Sequence, residues 1–143
     1  MPVCRFLKIH PDAQCPKLQS EHAAGYDLAS IETITVPAHG RALIHTGLKV
    51  ALPPQTHLEI RPRSGLALKY GITVLNSPGT VDSDYRGEII IVLYNTSEAD
   101  FIVHPGDRIA QAIVTEHLHV QWQQVDDFEQ TERGEHGFGS TGY

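Results

Sequence analysis

Two carboxylates, Asp82 and Asp84, stand two positions apart in Gly79-Thr80-Val81-Asp82-Ser83-Asp84-Tyr85-Arg86-Gly87-Glu88, among residues that favour turns. A carboxylate beside a turn can take a proton from a water lined up opposite a leaving group, but spacing alone does not choose between the two aspartates. Taken in isolation, either is more often a turn former than a base. Arg61, Arg63, Arg86, Arg108 and Arg133 all lie close to glycines or prolines, where guanidinium groups sit beside exposed backbone N–H groups, the usual setting for a bound phosphate. Ser64 to Lys69 has the composition of a short helix ending near Gly71, with Ser64 as its candidate cap and free N–H groups that favour an anion. His117 and His119 have the spacing of one strand face, yet no third ligand stands at a telling interval, so an exposed polar face is expected rather than a metal site. Gly137-Phe138-Gly139-Ser140 lacks the flanking strand and helix of a nucleophile elbow.

These residues need a frame. With 143 residues and 41% hydrophobic content, the chain has the size of one compact domain able to bury a core, with no length for a second. Short apolar or alternating runs recur between Gly, Pro, Asn and Asp, and residues 3–9, 34–36, 43–45, 48–52, 57–60 and 72–75 read as strands. Leu48, Val50 and Leu52 fall on every second residue, as do Leu58 and Ile60, the period of one buried sheet face. The run from Glu88 to Asn95 is apolar without alternation, which predicts a strand covered on both faces at the centre of the core. Asp107 to Arg133 contains no Gly or Pro; Ile109 and Ile113 have helical spacing, yet Leu118, Val120 and Trp122 alternate with His117, His119 and Gln121, and the stretch is read as strand. Many short strands with one helical turn predict an all-β sandwich or jelly roll.

Charge narrows the partners. Lys plus Arg number 11 against 17 Asp plus Glu, a formal net charge of −6, which argues against a broad electrostatic grip on polymeric nucleic acid but leaves room for a small anion where the arginines concentrate. Cys4 and Cys15 have no metal-ligand spacing and make no disulfide framework, which suits a reducing cytoplasm. Met1 to Asp12 lacks a charged stretch followed by a long apolar one, and no apolar run approaches a membrane span, so neither secretion nor membrane insertion is expected. Arg133 to Tyr143 carries four glycines and almost no aliphatic side chain. Such a segment cannot bury enough to order itself, which predicts a mobile tail after residue 132.

In their order and spacing, five segments resemble the trimeric dUTPases: Ala23-Ala24-Gly25-Tyr26-Asp27-Leu28, Arg61-Pro62-Arg63-Ser64-Gly65-Leu66-Ala67, the Gly79 to Glu88 segment, Gly106-Asp107-Arg108-Ile109-Ala110-Gln111, and the tail with Arg133-Gly134 and Gly137-Phe138-Gly139-Ser140-Thr141-Gly142. Any one alone is weak, since Gly and charged residues cluster in most loops; five in order across nearly the whole chain are specific. The resemblance implies a jelly-roll domain over residues 1–132 and a homotrimer with shared active sites. It also implies Mg²⁺-dependent hydrolysis of dUTP to dUMP and pyrophosphate, which removes dUTP from the nucleotide pool and supplies dUMP for dTMP synthesis. In the family each site takes its second and fourth segments from one subunit, its third from a neighbour and its tail from the remaining one. Residues 133–143 would then be a flexible lid over a neighbouring site.

The same resemblance implies roles. Asp82 would be the base, activating a water for in-line attack on the alpha phosphorus. Tyr85 would lie flat under the deoxyribose, its ring leaving no room for a 2′-hydroxyl. Asn76 through Val81, with Gly79 and Thr80, resembles the hairpin that reads uracil through backbone groups, the Asn76 side chain also touching the base; a wrong base there leaves buried polar groups unpaired. Arg63, Ser64, Gly65 and Gln111 resemble the family's phosphate contacts, in a reaction where positioning and charge neutralisation are most of catalysis. Arg108 is expected in a salt bridge rather than on substrate. Mg²⁺ is expected on the triphosphate oxygens, completed largely by water, with no direct protein ligand and Asp27 steadying the site through water or hydrogen bonds. Phe138 would stack on the uracil while Arg133, Gly139, Ser140 and Thr141 close over the phosphates and exclude bulk water.

Two other readings compete. A dCTP deaminase resembles the same fold and triphosphate grip but attacks the base with a catalytic Glu; its members lack the complete glycine-rich tail, and Gly79 to Tyr85 fits dUTPase instead. A catalytically silent relative that binds nucleotide or a protein as a regulator is opposed by intact Asp82, Tyr85 and tail.

Overall fold

Alternating burial is what makes these segments strands. In Thr56–Arg61 the side chains of Thr56, Leu58 and Ile60 are buried while those between them are not, and Leu48–Ala51 repeats the pattern, as one inward sheet face requires. The computed structural model describes residues 1–142; Tyr143, the last residue of the expected tail, lies outside them. Eleven strands are seen among the described residues: β1 (Arg5–Lys8), β2 (Tyr26–Ala29), β3 (Ile34–Val36), β4 (Arg41–His45), β5 (Leu48–Ala51), β6 (Thr56–Arg61), β7 (Ile72–Val74), β8 (Gly79–Val81), β9 (Ile90–Asn95), β10 (Phe101–Val103) and β11 (Arg108–Glu116), with one helix, α1 (Ser64–Tyr70), between β6 and β7. No helix among the described residues is long and apolar enough to cross a membrane.

The strands pair antiparallel throughout. A four-stranded sheet in the order β2-β11-β6-β8 and a three-stranded sheet β4-β9-β7 are completed by two short pairs, β1-β5 and β10-β3. Leu28, Leu58, Ile60, Ala110 and Ala112 from the first sheet and Ile44, Ile72, Val74, Ile91 and Leu93 from the second belong to one core cluster. The architecture is thus the expected all-β jelly-roll sandwich with one short helix. Its buried polar groups are satisfied: the Asn95 amide donates to the carbonyls of Val36 at 3.1 Å and Ala99 at 2.8 Å while its oxygen accepts from the Ser97 N–H at 2.9 Å.

Three expectations are corrected. The apolar run ending in β9 is not covered on both faces: Ile91, Leu93 and Asn95 are buried, whereas Ile90 is exposed and Val92 and Tyr94 are half-buried. Its inner face lies at the core, while its outer face is only partly covered among the described residues. The strand expected to reach Trp122 stops at Glu116, where Thr56 is its last partner on β6. Residues 117–122 have no strand beside them, and Leu118, Val120 and Trp122 are exposed; alternation records which way side chains would point, while a strand also needs an edge to pair with. Ser64 is the first helical residue rather than the cap. The capping position is Arg63, with extended backbone and no side-chain capping bond. The helix does end as expected, with Gly71 left-handed at φ 67° and its N–H on the Ala67 carbonyl.

Candidate active site

Register places the first group of site residues. On the four-stranded sheet Asp27 of β2 lies opposite Gln111 of β11, which lies opposite Arg61 of β6, and residues directly opposite one another share a face. Here β6 turns through Pro62 and Arg63 into α1. The Arg63 guanidinium meets Asp27 Oδ1 through Nε at 3.4 Å and donates through Nη1 to the Arg108 carbonyl at 2.8 Å. Arg108 Nη1 approaches the other Asp27 oxygen at 3.5 Å, so Arg108 does hold an ion pair. Gln111 Nε2 donates to the Pro62 carbonyl at 2.9 Å, and Gly25 packs so closely that an added Cβ would overlap the Gln111 carboxamide. Asp27, Arg63, Ser64, Gly65 and Gln111 thus line one cleft of about 220 Å³, together with Gln19, Ala23 and Gly25. Arg61 is held elsewhere, by Glu59, whose second oxygen meets His57 Nε2 at 3.2 Å. The hydrogen bonds from Arg61 and then His57 hold the Glu59 carboxyl below its ordinary value.

A second pocket, of about 70 Å³, lies where the chain turns from β7 to β8, which belong to different sheets and do not pair with each other as the expected hairpin would; it is lined by Asn76, Gly79, Thr80 and Val81 with Ile60, Val74 and Ile90 to Val92. An added Cβ on Gly79 would come within 3.2 Å of Asn76 Nδ2 and 3.3 Å of Ile60 Cβ, so the glycine lets the Asn76 amide fold against the sheet. β8 is an edge strand bonded only to β6. Its other side therefore presents free backbone donors and acceptors, the groups that read a base edge.

Beyond β8 the chain turns back on itself. The Tyr85 N–H donates to the Asp82 carbonyl at 3.1 Å, and Asp82, Asp84 and Tyr85 are all exposed. The Tyr85 ring lies against Gly87, where a Cβ would overlap it, and its hydroxyl donates to the Glu88 carbonyl at 2.9 Å. The cleft and the pocket between β7 and β8 share no lining residue. Among the described residues the tail lines neither: Arg133 Nε donates to the His136 carbonyl at 2.8 Å, Ser140 N–H to the Gly137 carbonyl at 3.2 Å, and Phe138 is fully exposed at φ 50°. The chain therefore brings together Arg63, Ser64, Gly65, Gln111 and Asp27, separately brings together Asn76, Gly79, Thr80 and Val81, and leaves Arg133, Phe138, Gly139, Ser140 and Thr141 apart from both.

Residues 11–142 match the family model described as dUTPase. The chain belongs to the dUTPase family. It is 54% identical over 138 residues to the deoxyuridine 5'-triphosphate nucleotidohydrolase of Wolinella succinogenes, covering 96% of this chain and 93% of that one. To the protein of the same name from Picosynechococcus sp. it is 51% identical, covering 96% and 97%. Among solved structures, the dUTPase of Staphylococcus bacteriophage 80alpha with dUPNHPP matches at a TM-score of 0.92 and 25% identity, covering 99% of each chain. All five motifs read from the sequence of this family member fall within the matched residues.

Other clusters lack that chemistry. An apolar cleft of about 500 Å³, lined by residues such as Phe6, Tyr26, Val50 and Leu58, is larger but brings no charged side chains together. His117 is not on a strand with His119; its Nδ1 meets His57 Nδ1 at 3.0 Å, while the His119 ring lies 5.0 Å from it. Among the described residues no group of three or more His, Cys, Asp and Glu is placed to hold a metal ion, and Asp27, the carboxylate of the cleft, already faces two arginines. That donor set suits a cation that arrives on a polyphosphate and keeps its water better than one caged by protein. Gln19 and Ala23 were not singled out as cleft residues. Ala23 opens the first motif, whereas nothing around Gln19 marks it.

Proposed function

We propose that this chain hydrolyses dUTP to dUMP and pyrophosphate. What carries the proposal is the cleft: Arg63 beside Ser64, Gly65 and Gln111, pre-aimed by Asp27, offers a guanidinium and amide donors to a triphosphate in a family whose relatives bear the name deoxyuridine 5'-triphosphate nucleotidohydrolase. Such a cradle neutralises charge as it builds in the transition state. The pocket between β7 and β8 takes the uracil, with Asn76 and the backbone of Gly79, Thr80 and Val81 matching its donors and acceptors. Tyr85 lies under the deoxyribose. Asp82 takes the proton from the attacking water, which displaces pyrophosphate in line at the alpha phosphorus. Mg²⁺ arriving with the triphosphate would supply charge neutralisation at the phosphates, and Asp27 steadies the Arg63 guanidinium that meets them.

Cleft and β7–β8 pocket share no residue in one chain, and among the described residues the tail lines neither. A homotrimer resolves this, with the β7–β8 pocket of one copy facing the cleft of another and residues 133–143 of the remaining copy closing over both. There Phe138 stacks on the base, and Arg133, Gly139, Ser140 and Thr141 cover the phosphates. The setting is the cytoplasm, where Cys4 and Cys15 stay reduced and the product feeds dTMP synthesis. Purified protein incubated with dUTP, dCTP, dTTP or UTP plus Mg²⁺ should release pyrophosphate from dUTP alone, and label from H₂¹⁸O should enter dUMP. Label in the pyrophosphate would place attack at the wrong phosphorus, ammonia from dCTP would indicate a deaminase, and a monomeric mass in solution would remove the shared site.

A further inference from the structure

We propose that the His45–Glu88 pair is a positioning element for Tyr85, setting its ring against the sugar and so sharing in the exclusion of a 2′-hydroxyl; this rests on the role of Tyr85 given above. Tyr85 stands on an exposed loop, and its hydroxyl has one hydrogen-bond partner among the described residues, the Glu88 carbonyl at 2.9 Å. Where that carbonyl points decides where the phenol ring lies. The following residue is well anchored: the Thr46 hydroxyl donates to the Ile89 carbonyl at 2.6 Å, and the Ile89 N–H to the Leu48 carbonyl at 2.8 Å. Glu88 itself is fixed through its carboxylate, which accepts the Gly47 N–H at 2.9 Å and meets His45 Nδ1 at 3.0 Å. The β4–β5 corner therefore fixes the Glu88 carbonyl from two sides, by the backbone of Ile89 and by the Glu88 carboxylate, and the carboxylate is the side that depends on His45.

His45 is anchored in its turn. Its N–H donates to Glu32 Oε1 at 3.1 Å and its carbonyl accepts the Ile31 N–H at 3.1 Å. The charged groups acting on the pair are Glu88 and Glu32 on the imidazole, and His45 and His10 on the carboxylate. The hydrogen bond to Glu88, opposed by partial burial and helped by the charges of Glu88 and Glu32, lifts the imidazole above its ordinary value. Burial pushes the Glu88 carboxyl up, but the hydrogen bonds from His45 and Gly47 and the nearby imidazoles outweigh it and leave it lowered. Both directions favour the ion pair.

The full-length protein decides the matter through kcat/KM for dUTP and for UTP. His45→Ala should lower the dUTP-over-UTP ratio about tenfold while changing dUTP turnover only a few-fold, and the same substitution made in Tyr85→Phe should change the ratio less than about twofold, because contacting residues couple. His45→Asn keeps a donor near the position of Nδ1; it should fold, retain most of the discrimination, and lose the decline in discrimination expected of the parent as pH rises through the raised His45 value. An unchanged ratio in His45→Ala, an equal fall with and without the Tyr85 hydroxyl, or a parent-like pH dependence in His45→Asn would overturn the proposal. If the parent hydrolyses no dUTP, the proposed activity fails on its own, and ¹³C-tyrosine NMR still tests the pair. The Tyr85 ring signal should track the titration of His45 in the parent and not in His45→Asn; a signal indifferent to that titration overturns the positioning role.

Discussion

The cleft around Asp27 and the tail beyond residue 132 carry equally dense motifs but are built in opposite ways. In the cleft the charged and amide side chains are held by partners remote in sequence: Asp27 by Arg63 and Arg108, and Gln111 by the Pro62 carbonyl, with the Gly25 backbone packed against the Gln111 carboxamide. In the tail the bonds from Arg133, Gly134, His136, Ser140 and Gly142 all close within three residues, and the aromatic side chain of Phe138 is bare. Long-range partners pre-organise a site before any ligand arrives, whereas local bonds leave its order to be supplied by what it binds. One chain thus combines a pre-built cleft with a tail whose bonds among the described residues are all local. Damage to the cradle should appear in both stability and binding, while damage to exposed reactive groups should appear in turnover alone.

The largest effect belongs to a group with no structural partner. The Asp82 side chain makes no hydrogen bond among the described residues, so Asp82→Asn should leave the melting temperature unchanged and keep nucleotide affinity while lowering kcat by about 10³-fold. If Asp84→Asn, in the same steady-state assay, produced that loss instead, the base would be the other aspartate. Next comes deletion of the residues after Glu132. Since the tail bonds among the described residues are all local, thermal unfolding should stay within about 1 °C, whereas turnover should fall about 10²-fold because the phosphates are left open to water. A truncated protein with full activity would make the tail dispensable and dissolve the contrast with the cleft.

How much of this contrast was legible beforehand depended on what each signal encodes. Leu48, Val50, Leu58 and Ile60 announced their buried face because a two-residue period is a local property. The outer face of β9 was misread because an apolar run does not reveal whether anything packs over it, and residues 117–122 were misread because alternation does not reveal whether an edge lies alongside. β2 and β8 are about as short as β3 and β7, but they carry Asp27, Gly79 and Thr80 where those strands carry Ile and Val, so they lack the apolar signal that marked the others. Arg63, Gln111 and Asp27 were readable from the motifs, and their convergence follows from a register that no spacing states. Gln19 joins the cleft only because the loop before β2 folds over it, which leaves no mark in the neighbouring residues.

A smaller effect, and one that separates cradle from cover, is expected from Gly25→Ala. The added methyl must displace the Gln111 carboxamide, and overpacking of a fitted site costs about 1–3 kcal/mol. Denaturant unfolding should show that loss, and triphosphate binding should weaken with it, since Gln111 can no longer hold the Pro62 carbonyl. The matching change in the tail, Gly137→Ala, meets nothing within 4 Å and should leave unfolding unaltered. Equal stability losses at the two glycines would mean that the tail packs on the domain after all.

The smallest effect is a pH dependence confined to the pre-built part. His45 has its folded-state pKa raised above the ordinary 6.5, so its stabilising contribution is whole below about 6.5 and is lost as pH rises through the raised value. Glu88 has its value lowered below 4.5, so its contribution is whole above about 4.5 and is lost as pH falls through the lowered value. Both contributions are complete between those limits, and the pair weakens on the alkaline side first as the imidazole discharges. His45 is 40% exposed, and solvent screening leaves such a pair worth no more than about 0.5 kcal/mol, a shift of about 2 °C in a domain of this size. Thermal unfolding at pH 6 and pH 8.5 should show that difference in the parent and a flatter response in His45→Asn. Protein lacking the tail should keep the parent's profile, because no tail residue acts on either member of the pair, and a profile altered by truncation would place the tail against the β4–β5 corner instead of free of it.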